Sequence, residues 1–219
     1  MGQAIEIETE DGIPFDIYVA GSDDAPRGVM ILHEWWGVMP HNIDWANTLA
    51  EQINCQAIVV DLYDTRVTDD PETASTWMRE TDQALADKKL LAALNWLEQP
   101  GRKIASYGCS FGGKESMQVT LLAPDRISAT AIAYCRMEND VEKLKTLQGP
   151  ILAIYAEQER TMPEKRDNFE SAMEVAGKRT EGVGFDAAHG FTNPTSPRYD
   201  AGADRLAWNT LVAFLEKSL

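Results

Sequence analysis

Two kinds of hydrophobic pattern follow one another along the chain. Near the N-terminus, residues 4–8 and 14–19 alternate apolar and polar side chains on either side of a turn at 10–12, which predicts a half-exposed β-hairpin. Further along, short apolar runs predict strands that are buried on both faces of a sheet. These runs lie at residues 29–32, 57–60, 104–107, 127–134, 151–155 and 183–185.

Longer segments with helical periodicity separate these runs. The last segment, 204–219, is predicted to place Leu206, Leu211 and Phe214 on its inner face, and Asn42 is predicted to cap the first. Strands that alternate with helices after one hairpin predict an α/β fold, a single domain over residues 1–219 with a mostly parallel central sheet and helices on both faces. The helical segments are 43–53, 72–97, 114 onward, 141–147, 164–175 and 204–219.

The strongest chemical signal lies at residues 103–113, K-I-A-S-Y-G-C-S-F-G-G. The segment reads as a strand, then G-C-S-F-G, then a helix, which is the setting that the G-x-S-x-G nucleophile motif requires. Glycines at 108 and 112 allow close backbone contacts, so that Ser110 projects from a strained turn. The following helix directs its N-terminal amides at negative charge beside Ser110, with the Phe111 N–H as one oxyanion donor. A tight βα connection without a chemical role is the alternative interpretation.

A serine nucleophile needs a base, and the base needs an acceptor that orients it. Of the three histidines, His189 fits best, because it follows the last predicted strand in a loop with Gly190. His33 ends a strand and is predicted to be a hydrogen-bonded core or loop residue. His41 precedes a helix and is predicted to be solvated.

The acid is expected between the serine and the histidine in sequence, at the end of an intervening strand. The loop after residues 151–155 offers Glu157 and Glu159. Both could equally be surface charges, which is the usual fate of glutamates in loops. The residues alone leave this choice open.

Composition and net charge favour a soluble globular protein and argue against some classes of partner. With 219 residues, 44% hydrophobic and 25% charged, the chain has the balance of a soluble globular protein. A net charge of −15 argues against nucleic-acid and anionic-membrane partners, because both would repel it. The start lacks a signal peptide and no apolar run reaches membrane length, so a cytoplasmic location is predicted.

The metal-binding residue types are few and scattered. Three cysteines and three histidines show no metal-ligand or disulfide spacing, so no metal and no cofactor is expected. The predicted assembly is a monomer or a small homo-oligomer.

Five motifs follow one another in a recognisable order: His33-Glu34-Trp35-Trp36-Gly37, Val60-Asp61-Leu62-Tyr63, Gly108-Cys109-Ser110-Phe111-Gly112-Gly113, Ala156-Glu157-Gln158-Glu159 to Pro163, and Ala187-Ala188-His189-Gly190-Phe191. In this order they resemble the dienelactone hydrolase family of the α/β-hydrolase fold, and the resemblance covers nearly the whole chain. The resemblance implies Ser110 as nucleophile, Glu159 as acid and His189 as base. It also implies oxyanion donors at the amides of Trp35 and Phe111.

Further residues in or near these motifs are candidates for the substrate site. Glu34 matches the family's glutamate beside the nucleophile and is expected to orient the Ser110 hydroxyl, bind substrate, or simply persist. Trp36, Tyr134 and Phe191, like Trp35 and Phe111, fall at strand ends near Ser110. So many aromatic side chains on one rim suggest an apolar acyl or alcohol site.

The chain departs from the family pattern at its nucleophile and its acid. The family's characteristic nucleophile is cysteine, whereas this position is Ser110, and Cys109 is expected to point back into the fold. The acid is Glu159 where aspartate is usual, and Asp140, after the preceding strand, is the reserve candidate.

A third departure concerns substrate charge. Dienelactone hydrolases clamp a substrate carboxylate with arginines, and one of these positions is Asn193 here, while the acidic pair at 69–70 lies where the other is expected. A lost charge-assisted contact removes about 1.5 to 3 kcal/mol. Arg79 and Arg198 are possible replacements. A neutral ester or lactone is therefore the expected substrate, and the expected activity is that of a serine hydrolase, with a non-catalytic binding protein or an acyl transferase of the same fold as alternatives.

Overall fold

A sheet of eight strands forms the centre of the computed structural model, which describes residues 2–219. The strands are β1 (Gln3–Glu8), β2 (Pro14–Ala20), β3 (Arg27–Leu32), β4 (Cys55–Val60), β5 (Lys103–Cys109), β6 (Ala129–Ala133), β7 (Ile151–Ala156) and β8 (Thr180–Phe185). Their spatial order is β1-β2-β4-β3-β5-β6-β7-β8. β1 and β2 form an antiparallel hairpin and β2 is antiparallel to β4, whereas β3 to β8 are parallel. The predicted fold class is confirmed.

Helices cover both faces of this sheet. They are α1 (Pro40–Ile53), α2 (Pro71–Glu80), α3 (Gln83–Leu97), α4 (Phe111–Leu122), α5 (Val141–Leu144), α6 (Glu164–Val175) and α7 (Ala201–Ser218). Because successive strand residues point to opposite faces, Val29 and Ile31 pack with α1 and α7, while Met30 and Leu32 pack with α3 and α4. α5 and α6 cover the second face towards β7.

The region predicted as one long helix, 72–97, consists of two helices. α2 ends at Glu80, and Asp82 starts α3 by accepting hydrogen bonds from the amides of Ala84 and Leu85 at 2.9 and 3.3 Å. An aspartate in this capping position satisfies amides that have no partner in the first turn of a helix, so it favours a new start over continuation.

Two details at helix ends also differ from the predictions. α1 begins at Pro40, so Asn42 lies within its first turn, where its Oδ1 accepts the Met39 amide at 2.9 Å. Leu206 of α7 is 54% exposed, whereas Leu211 and Phe214 are buried as predicted. Leu206 lies five residues before Leu211, which turns it away from the face that contacts the sheet.

The parallel register brings several loops to one edge of the sheet. Leu32 of β3 pairs with Gly108 of β5, Cys109 pairs with Ala133 of β6, and Ala156 of β7 pairs with Phe185 of β8. The carboxyl ends of these strands therefore meet at the same edge, where ligand sites of open α/β sheets lie.

Candidate active site

Ser110 occupies a sharp turn between β5 and α4. Its φ is 55° and its ψ is −116°, and its amide donates to the Ala133 carbonyl at 2.9 Å. A Cβ on Gly108 would lie 2.2 Å from the Gly112 carbonyl oxygen, and a Cβ on Gly112 would lie 2.1 Å from that of Leu32. Glycine at both positions is therefore required for β3, β5 and α4 to approach each other, and this approach holds the Ser110 side chain at the sheet edge.

A line of hydrogen bonds joins Ser110, His189 and Glu159. Ser110 Oγ lies 2.8 Å from His189 Nε2, and His189 Nδ1 lies 2.8 Å from Glu159 Oε1. An ionised carboxylate can only accept, so the matching tautomer carries its proton on Nδ1 and leaves Nε2 to accept from the Ser110 hydroxyl. Side chains 79 and 30 residues apart in sequence are thus arranged as nucleophile, base and acid would be.

Glu159 has a second partner that was not predicted from the sequence. Lys165 Nζ lies 2.7 Å from Glu159 Oε2. Burial raises the pKa of Glu159, but the hydrogen bonds from His189 and Lys165 outweigh this effect, and the pKa is lowered overall. Glu159 is therefore charged at neutral pH. A lysine in the first turn of a helix has many surface roles, so no sequence signal singled out Lys165.

The other two candidate acids face elsewhere. Glu157 lies 3.7 Å from Arg166. Asp140 starts α5 by accepting the amides of Glu142 and Lys143 at 2.9 and 3.4 Å. Of the three carboxylates considered, Glu159 is the one in contact with His189.

Glu34 lies in a buried polar contact that does not include Ser110. It is 3% exposed, and its Oε2 accepts from Asn193 Nδ2 at 3.1 Å. His41 Nε2 lies 3.4 Å from the same oxygen, although neither ring nitrogen of His41 makes a hydrogen bond within residues 2–219. Orientation of the Ser110 hydroxyl by a direct contact from Glu34 is thus not seen.

His41 is not solvated, contrary to the prediction. It is 4% exposed, and its ring packs edge-on against Trp45 with centroids 5.0 Å apart. The physical reason is the early start of α1 at Pro40, which places His41 in the helix and turns it inward. His33 agrees with its prediction, because Nδ1 donates to the Glu34 carbonyl at 2.6 Å and Nε2 accepts the Leu62 amide at 3.1 Å.

The two predicted oxyanion donors have free amides. Trp35 follows β3 and Phe111 begins α4, next to Ser110. Within residues 2–219, neither amide donates a hydrogen bond to another protein group. The N-terminus of α4 adds the positive end of a helix dipole on the same side.

A cavity of about 960 Å³ opens at this edge of the sheet. Ser110, His189, Glu159 and Lys165 line it, and its apolar wall includes Phe111, Tyr134, Met78 and Met137. This volume lies within the usual range of small-molecule sites, roughly 300 to 1,000 Å³.

Only some of the predicted aromatic side chains line the cavity. The Tyr134 ring lies edge-on to His189 with centroids 5.1 Å apart, and its hydroxyl is bonded to Thr192 Oγ1 at 2.6 Å. Phe191 is fully buried behind Tyr134, with ring centroids 5.4 Å apart, so it supports the cavity wall without facing the cavity. Trp36 packs against Trp35, 4.9 Å between centroids, and lies outside the lining.

Most of the cationic side chains that line the cavity form ion pairs with carboxylates. Lys114 pairs with Glu115 at 2.7 Å. Arg136 lines the cavity, is exposed, and forms no ion pair within residues 2–219. Arg79 and Arg198 are both absent from the lining, so neither replaces the missing clamp in this structure.

The cysteines near Ser110 are buried, and burial keeps their thiols protonated. Burial raises the pKa of the Cys109 thiol to about 12, and its Sγ contacts the Tyr107 hydroxyl at 3.2 Å. Burial also raises the pKa of Cys135 to about 12. Since the thiolate is the nucleophilic form of cysteine, these raised pKa values disfavour both thiols as nucleophiles.

Two features are absent from residues 2–219, a metal-binding cluster and a membrane-spanning helix. Within residues 2–219, no group of three or more His, Cys, Asp or Glu side chains is arranged to hold a metal ion. None of the helices in that range has the length and apolar character needed to cross a bilayer.

Comparison with known proteins agrees with the motifs and the fold. Protein usf of Aquifex pyrophilus is 26% identical over 235 residues, covering 100% of both chains. The structure of a dienelactone hydrolase-like promiscuous phosphotriesterase from metagenomic libraries aligns with a TM-score of 0.83 at 19% identity, over 99% of this chain and 98% of that chain. Dienelactone hydrolase from Anabaena variabilis aligns with a TM-score of 0.75 at 19% identity, over 100% and 98%. At such identities the solved structures show the shared fold.

The family itself is shown by a match to the sequence. The model of the dienelactone hydrolase family matches residues 15–219, which is nearly the whole chain. The resemblance carried by the five motifs is thereby confirmed. This chain belongs to the dienelactone hydrolase family, a family of hydrolases.

Proposed function

We propose that this protein is a serine hydrolase that cleaves a carboxylic ester or lactone through an acyl-enzyme on Ser110. One observation carries the proposal: two hydrogen bonds of 2.8 Å connect Ser110 Oγ to His189 and His189 to Glu159, beside a cavity. A hydroxyl, an imidazole and a carboxylate in this order form the arrangement that activates a serine.

The first half of the reaction forms the acyl-enzyme. His189 Nε2 takes the hydroxyl proton as Ser110 Oγ attacks the carbonyl carbon, and Glu159 stabilises the imidazolium that results. The amides of Trp35 and Phe111 hold the oxyanion of the tetrahedral intermediate. His189 then donates its proton to the leaving alkoxide, which departs as the alcohol.

The second half releases the acid. His189 removes a proton from water, and the resulting hydroxide attacks the acyl carbonyl held by the same amides. Collapse of this intermediate breaks the ester bond to Ser110 and returns the proton to its Oγ. An alcohol in place of water would give transfer instead of hydrolysis.

A neutral substrate fits the charges of this site. Asn193, at the position of a family arginine, donates its amide to Glu34 and is buried, so it offers no clamp for a carboxylate. Lys114 and Lys165 are each paired with a glutamate, which leaves the exposed Arg136 as the one lining cation without an ion pair within residues 2–219. An uncharged aryl or alkyl ester can instead pack against the apolar wall at Met78 and Met137.

A fluorophosphonate probe and a set of p-nitrophenyl esters test the proposal. The wild-type protein is expected to be labelled on Ser110 and to give a burst of p-nitrophenol, and Ser110→Ala is expected to lose both. Ser171→Ala, at an exposed position of α6 outside the cavity, is the matched control and is expected to behave as wild type.

Two outcomes would contradict the proposal. Wild-type turnover by Ser110→Ala would remove Ser110 from the mechanism. Folded wild-type protein that refuses both probe and esters would support a non-catalytic binding protein of this fold. An acyl transferase would be recognised by added alcohols that outcompete water for the acyl group, and matched esters with and without a carboxylate in the acyl part test the preference for neutral substrates.

A further inference from the structure

Lys165 is bound to the acid on the side that faces away from His189. Its Nζ lies 2.7 Å from Glu159 Oε2, while Glu159 Oε1 lies 2.8 Å from His189 Nδ1. Both side chains are largely buried, 17% exposed for Lys165 and 11% for Glu159. Each carboxylate oxygen thus has a charged or N–H donor of its own, and Lys165 is held within the site and not spread over the surface.

The length of the acid explains why a second contact is needed. A glutamate has one more rotatable bond than the aspartate usual at this position, so its carboxylate has more orientations to choose from. Only some of these orientations direct an oxygen at His189 Nδ1. A donor fixed behind the carboxylate removes the others.

Lys165 is anchored to the same loop that carries the acid. It lies in the first turn of α6, and its backbone amide donates to the Thr161 carbonyl at 3.0 Å. Thr161 Oγ1 lies 3.4 Å from Glu159 Oε2. The loop and the start of α6 therefore hold the lysine and the carboxylate in one local unit.

The titratable groups that face Glu159 come from three directions. Lys165 approaches from α6 and His189 from the loop after β8. Cys135 faces them from the end of β6, and burial raises the pKa of its thiol to about 12, so it is neutral. The hydrogen bonds from His189 and Lys165 both lower the Glu159 pKa against the effect of burial, so loss of Lys165 removes one of the two groups that keep the carboxyl ionised.

We propose that Lys165 is a positioning residue of this site, which holds the Glu159 carboxylate in place against His189 Nδ1. The inference rests on the proposed function, because the position of the acid matters only if His189 acts as a base. It assigns to Lys165 no contact with the substrate.

Lys165→Met and Lys165→Arg test this role against the control Lys145→Met. Lys145 forms an exposed ion pair with Glu142 at 2.7 Å, away from the cavity. In Lys165→Met, kcat is expected to fall about tenfold or more, as for a lost hydrogen bond to a charged group, with KM within about twofold. Lys165→Arg is expected to restore most of kcat, and Lys145→Met to leave it unchanged.

The pH dependence of kcat/KM in Lys165→Met is expected to shift in one direction. Lys165 lowers the pKa of Glu159, so its removal raises that pKa and the carboxylate becomes protonated at a higher pH. The acid limb of kcat/KM in Lys165→Met is therefore expected to move to higher pH. A purely structural loss would lower the whole profile without moving this limb, and would contradict the proposal.

A double variant separates action through Glu159 from direct action on substrate. In a Glu159→Gln background, Lys165→Met is expected to add little further loss of kcat. A loss as large as in the wild-type background would overturn the inference.

A measurement without turnover keeps this inference distinct from the proposed function. In protein labelled with ¹³C at glutamate carboxyl carbons, the signal that Glu159→Gln removes identifies Glu159. Its titration midpoint is expected to rise in Lys165→Met, and an unchanged midpoint would overturn the inference. Failure of Ser110 to react with the fluorophosphonate would instead count against the proposed hydrolase.

Discussion

Two glutamates at the same edge of the sheet have different surroundings. Glu159, in the loop after β7, binds His189 and Lys165 and lines the cavity. Glu34, in the loop after β3, accepts from Asn193 and lies beside His41, outside the cavity lining. The difference teaches that the contacts a carboxylate makes, and not its place at a strand end, decide whether it can orient His189.

The largest effect expected from this contrast is that of Glu159→Gln. An amide lacks the charge that stabilises an imidazolium and can present an N–H to Nδ1, which favours the wrong tautomer. We expect kcat on an activated ester to fall by about 10³ to 10⁴, as when the acid of a serine triad is replaced by its amide. A fall in kcat of less than tenfold would contradict the proposal that Glu159, unlike Glu34, assists His189.

Glu159→Asp sharpens the contrast by changing length while keeping charge. Glu159 contacts His189 and Lys165 at 2.8 and 2.7 Å, and we expect the shorter side chain to lose at least one of these contacts from the same backbone position. We expect kcat to fall about 10- to 100-fold, since a displacement of about 1 Å has effects of that size. Steady-state kinetics at saturating ester measures this, and wild-type kcat in the aspartate variant would show that the loop adapts freely.

The smallest effect on kcat is expected from Glu34→Gln. The glutamine oxygen can still accept from Asn193, and no contact with Ser110 is lost. We expect kcat within about tenfold of wild type, while the free energy of unfolding falls by about 1 kcal/mol because the new side-chain NH2 group is buried where an acceptor oxygen was. Urea unfolding and ester kinetics on the same preparation separate these quantities, and a loss of kcat comparable to that of Glu159→Gln would reverse the comparison.

Much of the framework could be predicted from the sequence because local rules determine it. Short apolar runs predicted the buried strands, and G-C-S-F-G between a strand and a helix predicted the turn at Ser110, whose close backbone contacts the structure shows at Gly108 and Gly112. Residue patterns could not separate Glu157 from Glu159, because both follow the same strand. The family pattern was needed to choose, and the contact with His189 is a property of the folded chain.

The features that were not predicted depend on contacts between distant segments. The burial of His41 follows from a helix start at Pro40 and packing against Trp45. The ion pair of Lys165 with Glu159 joins a loop to the next helix, and such a contact produces no recognisable pattern in the sequence. Phe191 was predicted to face substrate, but aromatic side chains at strand ends also serve as support, and its position behind Tyr134 makes it one of these.

The backbone conformation that presents the Ser110 hydroxyl also destabilises the folded state. A side chain at φ 55° and ψ −116° is disfavoured, and such conformations raise the free energy of a folded protein by about 1 to 3 kcal/mol. Glycine would relieve this tension but would remove the hydroxyl. The free energy of unfolding is therefore lower than it would be with an unstrained residue at position 110. This loss of stability arises at the one residue whose side chain the proposed reaction requires.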